Sequence, residues 1–249
     1  MAYVEVLWAR KMFTWYVGLS IAAGTLLLIA AIDKGLHVSR AVREVPFGII
    51  FAIAGYAACI MTTLIAATLN RDREHIAYLW TRPEPRVRIA MSYMLVDIVT
   101  IVIAFFAVAG IAAVVVGNWP HSKLIADPNA GALLVRYLAL PLMWYGLVEA
   151  ATSWNGMKGP AVAGISWAVF WLLLIASGSM LPTPVHVLLS TLNLLNPLAY
   201  FLSIHGETVL GVGGHNLIPI NFSVQTMLAY AIFVAGCTAA AFAWRRMEA

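Results

Sequence analysis

From Phe47 to Leu69 the chain runs for 23 residues without a charged side chain. Phe13–Ile32, Ala161–Met180 and Val224–Trp244 are equally free of Asp, Glu, Lys and Arg. A helix rises about 1.5 Å per residue, so ~20 residues cross the ~30 Å hydrocarbon core of a bilayer. A soluble helix of that length needs a polar face, and these runs have none. Over all 249 residues, 62% are apolar and 10% are charged. Globular chains carry about 45–50% and about 25%. A soluble enzyme, a disordered chain and a coiled coil are therefore excluded. Little length is left for a soluble catalytic domain.

Two further runs are interrupted only lightly. Ile89–Gly117 contains Asp97, and Ala132–Trp154 contains Arg136, Pro141 and Glu149. The expected fold class is an all-α polytopic membrane protein with six transmembrane helices in one domain over residues 1–249. The spans fall at about 13–32, 47–69, 89–117, 132–154, 161–180 and 224–244. The basic start at Arg10-Lys11 is followed by too long a run for a signal peptide, so the first span is expected to stay in the chain. Ser20 with Gly24, and Gly236 with Ala240, give the small-residue spacing that lets helices approach closely. Pro141 is expected to kink the fourth span. Cys59 and Cys237 both sit in apolar runs, which argues against a structural disulfide.

Lys and Arg in the connections set the orientation. Ten lie at the termini, in 70–88 and in 155–160, against four in the alternate connections. Both termini are then cytoplasmic, in a multi-pass protein of the cell's inner (plasma) membrane. Trp8, Trp15, Tyr16 and Trp244 mark the inner interface, and Trp119 the outer one. Residues 185–206 are apolar too, but Asn193 and Asn196-Pro197 interrupt them. Proline removes a backbone donor and disfavours helix before it. Two half-helices forming a re-entrant pair are expected there, in preference to a seventh span.

Charge is concentrated in one connection. Eight of the 26 charged residues lie in 71–88. Asn70 or Asp72 is suited to cap a helix over about 71–83, Ile76, Leu79 and Trp80 give it an apolar stripe, and Pro83 stops it. Such a helix either lies on the membrane surface or inserts into a cytoplasmic partner.

Here the residues resemble a family. Asp72-Arg73-Glu74, followed by Leu79-Trp80-Thr81-Arg82-Pro83-Glu84-Pro85-Arg86, is similar to the coupling helix of type-2 ABC exporter permeases. Glu74, Pro83 and Arg86 stand at that signature's acidic, proline and arginine positions. Ile76-Ala77 replaces its Gly-Thr pair, Pro85 its serine, and Tyr93 its usual lysine. Met1–Met12 resembles the family's N-terminal interfacial helix, and Asn196-Pro197-Leu198-Ala199-Tyr200 the stretch before its last span. The resemblance implies a permease subunit forming the substrate pathway as a dimer, a homodimer being expected. Two copies of a separate ABC ATPase would couple through Arg71, Asp72, Arg73, Glu74, Leu79, Trp80, Arg82, Pro83 and Arg86. ATP and Mg would belong to that ATPase. This chain has no G-x-x-x-x-G-K-[ST] loop, so no catalytic site and no cofactor are expected in it. Its other surroundings would be membrane lipid, with no nucleic acid.

Charges inside spans usually face a bundle interior or water. Asp97 and Glu149 fall at similar depth and are candidates for a polar pocket or for helix-to-helix bonds. Arg136, near a span end, is expected to snorkel to the headgroups. Trp167 and Trp171, at i and i+4, are candidates for a substrate path or for lipid-facing packing. Five of the six histidines (His37, His121, His186, His205 and His215) scatter through the outer connections without ligand spacing, and no metal site is expected. The alternative function is an ion- or proton-coupled secondary transporter using Asp97 and Glu149. A six-span intramembrane protease is the third reading, with Ser177-Gly178-Ser179 as its only suggestive patch.

Overall fold

The computed structural model describes Gly24 and residues 43–69, 86–118, 122–155, 159–177, 183–202 and 222–246. About nine-tenths of these residues are helical. In chain order the elements are β1 (Arg43–Pro46), α1 (Phe47–Leu69), α2 (Arg86–Gly117), β2 (Ser122–Ile125), α3 (Ala130–Asn155) and α4 (Gly159–Ser177). Then come α5 (Thr183–Leu192), a 3-10 turn (Asn193–Leu195), α6 (Pro197–Leu202) and α7 (Phe222–Arg246). Among the described residues, three stretches, Ala90–Gly117, Ala130–Ser153 and Ser223–Arg245, are long and apolar enough to cross a membrane. Phe47–Thr63 and Gly164–Leu173 are shorter apolar helical stretches. The run 13–32 lies outside the described residues except for Gly24, which is helical and lies against Ile111 of α2.

The chain divides into two compact units, 1–61 with 95–138, and 62–94 with 139–249. In the first, Ile101, Ala104, Phe105, Val108, Ala109 and Ala112 bury one face of α2. Their spacing follows a helical stripe. Phe51 of α1 stacks on Phe105, with ring centroids 6.5 Å apart. The opposite side of α2 is as apolar as the buried one: Leu95, Val99, Ile103, Phe106 and Val114 are exposed. A helix apolar all round belongs in hydrocarbon rather than in water.

The strands were not legible in the sequence. β1 and β2 pair in parallel, with Glu44 opposite Lys123 and Val45 opposite Leu124. β1 runs directly into α1, and β2 lies between α2 and α3. After β2, the Asp127 carboxylate accepts the Asn129 N–H at 2.9 Å, and the Asp127 carbonyl accepts the Ala130 N–H at 3.0 Å. These bonds turn the chain into α3 and satisfy donors at its start.

In the second unit, Ala139–Gly146 of α3 is buried along its whole length. Gly146 meets Gly236 of α7 backbone to backbone. A Cβ on Gly146 would lie 2.8 Å from the Phe233 carbonyl oxygen, and one on Gly236 would overlap the Gly146 carbonyl. Ala229, Gly236, Ala240 and Ala243 give α7 a buried stripe of small residues, and Gln225 is buried at its start. Small residues let backbones approach where lipid supplies no hydrophobic drive between helices.

The segment 183–202 folds back on α4. α5, the 3-10 turn and α6 all pack against it. The Asn196 side-chain N–H bonds the Phe170 carbonyl at 3.0 Å. Phe170 is seven residues from the end of α4, about 10 Å along its axis. The turn at Asn193–Asn196 therefore sits well alongside α4.

Candidate functional site

The charged connection lies outside the described residues. This covers Arg71, Asp72, Arg73, Glu74, Leu79, Trp80, Arg82 and Pro83, together with the N-terminal 1–12. Arg86 is the first residue of α2. His186 lies in α5, and the other five histidines are outside the described residues. Among the described residues no three His, Cys, Asp or Glu side chains group together. Cys59 and Cys237 are free thiols.

Asp97 is buried in the first unit. Glu149, in the second, is half-buried, hydrogen-bonds Ser153 one turn on, and lies close enough to Cys237 of α7 to act on it electrostatically. Arg136 corrects the expectation of snorkelling. Its side chain is buried in the first unit, with its guanidinium 5.9 Å from the Tyr137 ring centroid. Distance from the helix end suggested an escape to the headgroups, but the face of α3 it occupies points inward.

The two tryptophans of α4 part company. Trp171 is exposed, whereas Trp167 is half-buried and donates its indole N–H to Thr63 Oγ1 at 2.8 Å. Trp144 of α3 donates to the same oxygen at 3.0 Å. The two indoles meet edge to face with centroids 6.2 Å apart, and Trp144 packs edge to face on Phe170 at 5.0 Å. Beside them, Thr62 Oγ1 reaches the Pro141 carbonyl at 3.5 Å, a long contact. α3 continues as helix through Pro141.

This aromatic and hydroxyl node continues into the turn before α6. Asn196 Nδ2 donates to Phe170 O and to Asn193 Oδ1, each at 3.0 Å. Asn196 Oδ1 accepts the Leu198 N–H at 3.1 Å, capping α6. Pro197 fills the first helical position, where a missing N–H costs nothing. Tyr200 Oη donates to the Leu194 carbonyl at 2.9 Å. The break is buried, and its polar atoms find partners in protein, as apolar surroundings require.

Sequence reasoning singled out Asn193, Asn196, Tyr200 and Trp167 but not Thr63, Trp144 or Phe170. Thr62-Thr63 is the one adjacent pair of hydroxyl residues in the 47–69 run, and that was the available signal. No family model, curated protein or solved structure matches this chain.

Proposed function

We propose that the chain is the transmembrane permease subunit of an ATP-driven exporter of the type-2 ABC class. It works as a pair and is driven by two separate ATPase subunits. The observation that carries this reading is the stretch 71–88. It places eight of the 26 charges between two apolar helices, in the order acidic residue, apolar stripe, proline, arginine. A chain with no phosphate-binding loop that concentrates its charge in one connection is built to receive work from outside. The apolar helices supply the membrane domain, with six spans and both termini in the cytoplasm. The turn at Asn193–Asn196, folded back on α4 with its polar atoms satisfied, supports a re-entrant pair before the last span.

The test is affinity capture of the chain from its native membrane. An ABC ATPase is expected in the eluate in equal amount. The double substitution Glu74→Ala with Arg86→Ala is expected to lower its recovery or its ATP turnover by about tenfold, as loss of a charged contact pair of 1–2 kcal/mol does. Transport driven by an ion gradient with no ATP would replace this reading with the secondary-transporter alternative at Asp97 and Glu149.

A further inference from the structure

Three helices of the second unit meet at one hydroxyl. Thr63 of α1 accepts both the Trp144 N–H of α3 and the Trp167 N–H of α4. Phe170, against which Trp144 packs, passes the connection on to Asn196 through its carbonyl. An indole N–H only donates. Hydrocarbon offers no water to stand in for an acceptor that moves away. Withdrawing Thr63 thus breaks hydrogen bonds to two helices at once. Thr63 lies six residues before Leu69, the end of α1, about 9 Å along the axis. The charged connection begins two residues after Leu69.

We propose that Thr63 is a positioning residue that passes displacement of the end of α1 to α3 and α4 through the two indoles. On the exporter reading, on which this rests, the stroke of the ATPase against 71–88 enters the bundle here.

The experiment uses the whole complex captured from the native membrane, with Thr63→Val, Thr63→Ser and Trp144→Phe. Valine matches threonine in size and removes the hydroxyl. Two quantities are read: ATPase recovered per chain, and the change in tryptophan fluorescence on adding ATP, Mg and vanadate. Thr63→Val is expected to keep ATPase recovery and to reduce the fluorescence change about fivefold or more, the size of an ordinary coupling energy. Thr63→Ser should restore it, and Trp144→Phe should fall between. A wild-type fluorescence response in Thr63→Val would falsify the proposal, even if that variant melts earlier. Should Thr63→Val lose its monodisperse elution peak, Trp144→Phe against Thr63→Ser decides by the same readout. Wild-type chain recovered without any ATPase overturns the exporter reading and the relay with it. Normal recovery with an undiminished response in Thr63→Val overturns the relay alone.

Discussion

The last helix and the broken segment before it join the second unit by opposite means. α7 lies on α3 through glycine against glycine, backbone to backbone, and carries a buried stripe of alanines. The segment 183–202 is tied to α4 by Asn196 and braced internally by Asn193 and Tyr200. Where solvent is as apolar as leucine, helices are held by closeness or by hydrogen bonds. A continuous helix can use closeness, because its backbone is already satisfied. A broken one has bare backbone groups at the break and needs side chains to cover them.

The sharpest way to break this contrast is to put a side chain at the glycine crossing. Gly236→Leu would drive its Cβ into the Gly146 backbone, which cannot swing aside as a flexible side chain could. It should cost about 3 kcal/mol or more, the upper end for overpacking, and remove most folded protein from detergent extracts judged by size-exclusion chromatography. Next, Asn196→Ala removes two donated bonds and one accepted bond at a buried break. A loss of about 2 kcal/mol is expected, read as an earlier thermal transition. Tyr200→Phe removes the hydroxyl's bond to the Leu194 carbonyl and should cost about 0.6 kcal/mol, near the low end for one hydrogen bond. Smallest of all, Ile103→Ala on the exposed side of α2 leaves no cavity inside the chain. A change within about 0.5 kcal/mol is expected in detergent. If Tyr200→Phe proves costlier than Gly236→Leu, the assignment of closeness to α7 and hydrogen bonding to 183–202 is wrong.

What was legible in the sequence was whatever depends on one stretch at a time. The charge-free run 47–69 is α1 residue for residue, because helix in lipid needs only length and apolarity. The break near Asn196-Pro197 was legible because proline acts locally. What depends on facing was not. Trp167 and Trp171 share a helical side by spacing, yet four residues advance about 400°. That 40° offset separates a residue bonded to Thr63 from one that is exposed. Arg136 was misread for the same reason. Thr63, Trp144 and Trp167 converge from positions up to 104 residues apart, and nothing in any one run marks that meeting. The same holds for β1 and β2, each four residues long and separated by two long helices.

The strand pair also imposes an order of assembly. β1 is synthesised roughly 80 residues before its partner, since Arg43 pairs with Ser122. At about 5–20 residues per second the ribosome needs roughly 4–16 s to cover that interval. During that time β1 waits, and both α1 and α2 have left the ribosome before the pair can close. The pairing of Glu44 with Lys123 is thus a late seal, made only after the first two long helices of the described chain have been delivered.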